Sequence, residues 1–456
     1  MMCDSCVATP VCPDLLDGIA VFIDDEINDA FSSAGKLKQQ IEEKNIPLIA
    51  RDKIPDNISD FIKHLYGVSF IILDWKFSQI TDPQIAEEVH LPDDVNSGAT
   101  VEMLKGLLTA TYCPIFILSQ EDVATIKREL DELKITSNGM HPRIFVNSKN
   151  DLLDGKLFSS LNEWIDKEPV TYVLKTWENA AKEAKLGMFS HLEKKNNSWP
   201  KILWKSFEND DADPAVELTH TLSTIFANRL QFSCSFVPSH FTEGTNGGVK
   251  NDIRNVLEEA RFLPVQTNTK PAPGDLFEHT ENGQTVYFLN FRAQCSTLHD
   301  PKPKLYCVKG VPFDDTSIYC VQGKVLAEDT LGKNADIVFC QGEFRTKKHI
   351  ILLPFVHGNK ILQFDCRKIE ILKFKQEDAS LYTSITYKDP DLKGKDKDKT
   401  ITIQKGSRIG RVLPPYINHI QQIISSYIVR EGLPAIPDEA IAVSTPPPSP
   451  SGETGE

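Results

Sequence analysis

Gly18-Ile19-Ala20-Val21-Phe22-Ile23-Asp24-Asp25 decides how the first third of the chain is read. The run is short, apolar and uninterrupted, and it stops at an acidic pair. That is the pattern of a strand buried on both faces whose end emerges into water. An amphipathic segment follows from Ile27 to Glu43. Ile46 to Ala50, closed by Arg51, reads as a second strand, and Pro47 suits an edge position better than a central one. A helical stretch from Ile58 to Tyr66 leads to the apolar run Val68–Leu73, which ends at Asp74. Gly98 to Thr109 reads as a helix, Cys113 to Leu118 as a strand ending at Ser119, and Asp122 to Leu133 as a helix. Arg143 to Val146 is a strand followed by Asn147-Ser148-Lys149, and Leu152 to Ile165 is a last amphipathic helix. Short apolar strands alternating with helices predict an α/β domain, a doubly wound parallel sheet of five strands.

Beyond it the pattern changes. Tyr172 to Leu192, Ala215 to Leu230 and Val249 to Ala260 carry helical periodicity, and Trp177, Trp199 and Trp204 are expected to pack between helices. Lys270-Pro271-Ala272-Pro273-Gly274-Asp275 reads as a connection. β-type runs follow at Val286–Phe291, Leu305–Val308, Ile318–Val321, Ile337–Phe339, Ile350–Phe355, Lys360–Phe364, Ile369–Phe374 and Thr400–Ile403. Val356-His357-Gly358-Asn359 reads as a hairpin turn, and Asp389–Lys399 as a solvated loop. Pro414 to Val429 is a helix with Ile417, Ile420, Ile423, Ile424 and Tyr427 on one side. The expected organisation is an N-terminal arm (1–17), the α/β domain (18–167), a mostly helical segment (168–274), a β-rich module closed by a C-terminal helix (275–441) and a disordered Pro- and Ser-rich tail (442–456).

Composition narrows the function. The 456 residues hold 50 Lys+Arg against 64 Asp+Glu, a net charge of −14. Nucleic acid and anionic membranes call for a concentrated basic surface, so neither is an expected partner. Lys347-Lys348 and the pair Arg408/Arg411 are too small for a nucleic-acid footprint. No apolar run approaches the ~20 residues that span a bilayer, and the N-terminus lacks the pattern of a signal peptide. A cytoplasmic location is expected, in which Cys113, Cys234, Cys320, Cys340 and Cys366 act as small core hydrophobes. Cys3-x-x-Cys6 with Cys12 lacks a fourth neighbouring ligand, so frayed cysteines are favoured there over a metal site.

The chemistry gathers where the strands end. Ligands of open parallel sheets bind beyond the carboxyl ends of the strands. Parallel strands would bring Asp24-Asp25, Asp74, Ser119 and Lys149 to one edge. Crowded carboxylates repel one another and favour a cation, and their hard oxygens suit Mg²⁺. A lysine and a hydroxyl beside it suit a phosphoryl group. An aspartate there can act as the nucleophile and become an aspartyl-phosphate.

With these residues in this order, the stretch from Gly18 to Asp166 resembles the receiver domain of two-component response regulators. The resemblance implies that Asp74 is the phosphoacceptor and that the donor is a histidine kinase. It implies that Asp25, with Asp24 and Asp74, helps hold Mg²⁺, and that Lys76 offers a backbone carbonyl to the metal. Ser119 and Lys149 would contact the phosphoryl oxygens. The chain also departs from the family. A long insertion, Phe77 to Ser97, carries Asp82, Glu87, Glu88, Asp93 and Asp94. Gln120 follows Ser119 where a small residue is usual, and Asn150 follows Lys149 in place of proline. Val146 stands where the switch aromatic is expected, with Phe145 one place off and on the other strand face.

Each residue also has a bland role. The aspartates can end strands or cap helices, Ser119 can cap a helix, and Lys149 alone is a surface lysine. His220, in a helical stretch, is expected to be structural or exposed rather than a phosphate relay; His349 and His357 are expected at strand ends. No nucleotide-binding glycine loop, zinc-protease helix or nucleophile elbow appears. A receiver joined to a region without enzymatic motifs is similar in build to the phosphate-buffer protein of Detocs-type anti-phage phosphorelays. That implies a sink that drains phosphoryl groups from a kinase while a separate effector stays off. Two further readings stand beside it: an effector controlled by phosphorylation, with an unrecognised activity in residues 170–441, and a scaffold that is never phosphorylated.

Overall fold

The computed structural model describes residues 15–77, 94–210, 213–241, 250–264, 269–293, 303–314, 319–321, 337–340, 343–346, 349–388 and 398–428. The chain divides into two compact units, Met1–Thr245 and Asn246–Glu456.

The first unit is built on strands β1 (Ile19–Ile23), β2 (Leu48–Arg51), β3 (Val68–Leu73), β4 (Ile115–Ser119) and β5 (Ile144–Ser148). They form a parallel sheet in the order β2-β1-β3-β4-β5. Pro47 precedes the edge strand β2, where a missing N–H costs no ladder bond. Helices α1 (Ser33–Glu43), α2 (Ile58–Lys63), α3 (Asp94–Ala110), α4 (Val123–Glu132) and α5 (Leu157–Lys167) alternate with the strands. The period of two along each strand then feeds two cores. Phe22, Phe70 and Phe116 face Leu37 and Ile41 of α1 and Leu161 and Ile165 of α5. Val21, Ile71 and Ile117 face Ile62, Leu104, Leu107, Ile126 and Leu130 of α2, α3 and α4.

Helices α1 and α5 start later than their apolar periodicity predicts. Expected from Ile27, α1 begins at Ser33, because short polar side chains hold residues 24–32 in turns. Asp29 Oδ1 accepts the Phe31 N–H at 2.9 Å, and Ser32 caps the helix by accepting from the Gly35 N–H. Expected from Leu152, α5 begins at Leu157, because Asp154 and Gly155 both adopt positive φ (56° and 80°) and break the helix.

Helices α6 (Pro169–Lys195), α7 (Trp199–Asn209) and α8 (Pro214–Ser233) belong to the same unit. Buried Lys175 of α6 donates to the Ser69 carbonyl (3.0 Å), the Ser69 hydroxyl (2.8 Å) and Glu178 (2.8 Å). Ser69 is the second residue of β3, so α6 covers the amino edge of the sheet. No residue of α7 or α8 is buried. Of the tryptophans expected to pack between helices, Trp199 of α7 meets Phe189 of α6 (ring centroids 6.1 Å), whereas Trp177 is 47% exposed and Trp204 41%, the latter bonded to Glu208 at 3.0 Å.

The second unit opens with α9 (Lys250–Glu259) and β6 (Phe262–Leu263). Its main strands are β7 (Asp275–Glu281), β8 (Gln284–Asn290), β9 (Lys304–Phe313), β13 (Ile350–Val356), β14 (Lys360–Lys375), β15 (Ser380–Lys388) and β16 (Asp398–Val412). Strands β10 (Tyr319–Val321), β11 (Ile337–Cys340) and β12 (Glu343–Thr346) make a separate small sheet. The pairings β14-β15-β16-β7-β8-β9 return to β14, so six antiparallel strands close a ring. The two strands expected at 360–364 and 369–374 are one bent strand, β14, whose register shifts between Phe364 and Ile369. Such an irregularity bends a strand without ending it, as closure requires. Helix α10 (Tyr416–Ile428) buries Ile417, Ile420 and Ile424 against Leu276, Tyr287 and Leu289. Alternate residues Phe277, Val286 and Phe288 join Leu305, Leu372, Phe374 and Leu381 in another cluster.

Arg408 and Arg411 are not a surface pair. Fully buried Asp275 accepts from Arg408 Nη1 at 3.1 Å and from Arg411 Nε at 2.7 Å. His357 lies in the β13–β14 turn, and His220 is exposed on α8. Cys113, Cys307 and Cys366 are buried. The Cys3/Cys6/Cys12 cluster, Lys347-Lys348, the acidic insertion from 78 to 93 and the C-terminal tail lie outside the described residues.

Candidate functional site

Register brings the strand-end residues together. Ile23 of β1 pairs with Leu73 of β3, so the next residues, Asp24 and Asp74, stand side by side. The pairing continues past the strands: the Asp74 N–H donates to the Ile23 carbonyl (3.0 Å) and the Asp24 N–H to that of Arg51 (2.9 Å). Ser119 pairs with Ser148, and the Lys149 N–H donates to the Ser119 carbonyl (3.0 Å). Asp24, Asp74, Ser119 and Lys149 are all buried.

The Lys149 ammonium lies 2.7 Å from Asp24 Oδ2 and 2.7 Å from Asp74 Oδ2. Asp24, Asp25 and Asp74 each offer a carboxylate oxygen, and these oxygens lie within 4.8 Å of one another. The one ammonium thus bridges two of these three carboxylates. Burial pushes the Asp74 carboxyl up to about 7; Asp24 adds to the rise and Lys149 opposes it. Burial likewise raises Asp24 against the pull of Lys149. For Lys149 burial disfavours the charge, but Asp74 and Asp24 outweigh it and hold the amine above its ordinary value. This donor set fits a hard divalent cation: oxygen ligands only, crowded, with one carboxyl reluctant to ionise without more positive charge.

A cleft of about 490 Å³ opens over the cluster, lined among others by Asp25, Asp74, Lys76, Ser119, Gln120 and Lys149. Asp24 is fully buried, with Lys149 held against it. The side chain of Lys76 reaches Glu121 at 3.1 Å, and Gln120 Nε2 donates to Glu26 Oε2 at 3.2 Å. Two polar contacts thus link the β4–α4 turn to the segments after β3 and β1. The residues read from sequence as candidates, Asp24, Asp25, Asp74, Lys76, Ser119 and Lys149, all stand at this one edge.

Glu26, Glu121, Trp75 and Glu129 were not singled out by sequence. Glu26 and Glu121 line the cleft one and two places past expected residues, a position that could have flagged them. Trp75, the residue after Asp74, is buried and donates its indole N–H to Glu129 Oε2 on α4 at 2.6 Å. Phe145 packs its ring against Phe116 (6.1 Å) and Trp164 (5.5 Å) on the α1/α5 face, whereas Val146 is buried on the α2–α4 face. The strand aromatic thus points away from α4. Comparison of the chain with protein-family models, with curated proteins and with solved structures returns no match.

Proposed function

We propose that the first unit is a Mg²⁺-dependent phosphoacceptor of the receiver type, charged on Asp74 by a histidine kinase. One observation carries the reading: a buried lysine ammonium 2.7 Å from each of two adjacent aspartates at the carboxyl edge of a parallel β2-β1-β3-β4-β5 sheet. A merely structural ion pair needs one carboxylate for one ammonium. Here a third carboxylate, Asp25, and an open cleft are added at the edge where such sheets bind ligands.

An oxygen of Asp74 attacks the phosphorus, the bond from phosphorus to the donor's leaving atom breaks, and the leaving group departs with that electron pair. Asp24, Asp25, Asp74 and the Lys76 carbonyl would hold Mg²⁺, which supplies neutralising charge for the carboxylates and the phosphoryl oxygens. Lys149 follows the charge, moving from its contact with Asp74 to a phosphoryl oxygen while Asp24 keeps it in place. The Ser119 hydroxyl donates to a second oxygen. The fate of the phosphoryl group is proposed to be storage, so that the protein drains a kinase in a defence phosphorelay and leaves a separate effector unmodified.

Intact-mass spectrometry after incubation with acetyl phosphate and Mg²⁺ tests the chemistry. Wild type is expected to gain one phosphoryl adduct that Asp74→Asn lacks. No adduct on wild type, from acetyl phosphate or from a histidine kinase of the same system, favours the scaffold instead. Storage is tested in cells: Asp74→Asn should let the kinase signal reach its effector, whereas deleting residues 246–441 should leave the draining intact.

A further inference from the structure

Trp75 has no room to be a passive neighbour of Asp74. It is 2% exposed and shares a buried cluster with Ile126 and Leu130 of α4. Its indole N–H donates to Glu129 Oε2, also on α4, at 2.6 Å. The next residue is tied to the same segment, since Lys76 Nζ lies 3.1 Å from Glu121 in the turn before α4. Both residues that follow Asp74 are therefore bonded to the β4–α4 segment. On its own side the Lys76 N–H reaches Asp74 Oδ1 at 3.4 Å.

The geometry points to Glu129 as a positioning residue for the Asp74 site, acting through Trp75, with α4 as the element that feels the state of that site. This rests on the phosphoacceptor reading above. A carboxylate bond to a buried indole fixes where the Asp74-Trp75-Lys76 backbone runs, and that backbone carries both the acceptor carboxylate and the carbonyl proposed for the cation. The bond between an indole and a charged acceptor is the stronger of the two contacts, because the Lys76–Glu121 pair is about half exposed and screened by water. Linkage runs both ways: if the position of α4 alters cation binding, cation binding must alter α4. With Phe145 turned to the α1/α5 face, this bond offers a coupling route on the α4 side that needs no strand aromatic.

The test uses the full chain and compares wild type with Glu129→Ala, Glu129→Gln and Trp75→Phe. Mg²⁺ is titrated while tryptophan fluorescence is read, with Trp75→Phe showing which part of the signal belongs to Trp75. Glu129→Ala is expected to weaken Mg²⁺ binding by about fivefold to tenfold. Glu129→Gln, whose amide oxygen still accepts from the indole, should restore most of it. Hydrogen exchange over residues 123–132 should slow on adding Mg²⁺ and acetyl phosphate in wild type and change much less in Trp75→Phe. A wild type that takes the phosphoryl adduct while Glu129→Ala binds Mg²⁺ as tightly overturns the positioning role and leaves the phosphoacceptor intact. A wild type that binds neither Mg²⁺ nor phosphoryl overturns both.

Discussion

Lys149 is the residue on which the site balances. Its ammonium is buried and lies 2.7 Å from two carboxylates, so its removal leaves both carboxyls buried without the cation they share. Lys149→Met should therefore abolish the phosphoryl adduct. It should also destabilise the metal-free first unit by about 3–5 kcal/mol, the range for breaking a buried ion pair. Urea unfolding with and without Mg²⁺ checks this, and an unchanged midpoint would contradict the buried pairing. A pH dependence follows from Asp74. Burial pushes its carboxyl up to about 7 in the folded chain, against the ordinary aspartate value of 3.8 when unfolded, so between those values the folded state holds the extra proton. Metal-free stability must fall as pH rises through that window. A proton also competes with the cation, so Mg²⁺ should bind more weakly at pH 6 than at pH 8. Calorimetric titration at both values reads the effect, and equal affinities would show that Asp74 is already ionised at the lower pH.

At the scale of elements, the parallel sheet was legible because each strand is a short apolar run that stops at a polar residue. The site was legible for the same reason, since its members are those stopping residues. The ring of β7–β9 and β14–β16 was less so. Polar residues interrupt β7 (DLFEHTE) and β15 (SLYTSITYK), and neither stood out as a strand. The two halves of β14 read as separate because the register shift lies between them. The bond from Trp75 to Glu129 spans 54 positions, a separation no local pattern reports. Asp275 was read as the end of a linker; instead it opens β7 and pairs with both Arg408 and Arg411. Asp275→Ala would leave the buried Arg408 guanidinium without its carboxylate. It is expected to cost the second unit about 3–5 kcal/mol. Thermal unfolding followed by near-UV circular dichroism is the readout, and a loss below about 1 kcal/mol would mean that water replaces the carboxylate.

At the scale of the whole molecule, the division at Thr245/Asn246 puts the acidic cluster and the closed antiparallel ring, the barrel, in different units. Every candidate ligand and acceptor, from Asp24 to Lys149, lies in the first unit, which has its own two-sided core. Lys175 ties α6 to the amino edge of that sheet through two hydrogen bonds to Ser69, and the first compact unit runs on through the helices to Thr245. A fragment of residues 1–245 is therefore expected to fold, bind Mg²⁺ and accept phosphoryl at a rate within about twofold of the full chain, as independent domains do. A fragment cut at residue 168 removes Lys175 and Tyr172 and bares Ser69 and the core residues that Tyr172 covers, and it should be less stable although it keeps every site residue. Phosphorylation kinetics and unfolding of the two fragments distinguish these cases. Equal stability of both would show that α6 is an appendage, and the sheet alone would then be the functional unit. A longer fragment that folds but accepts no phosphoryl would place part of the catalytic requirement in the barrel, and the storage reading would give way to one in which both units act on the phosphoryl group.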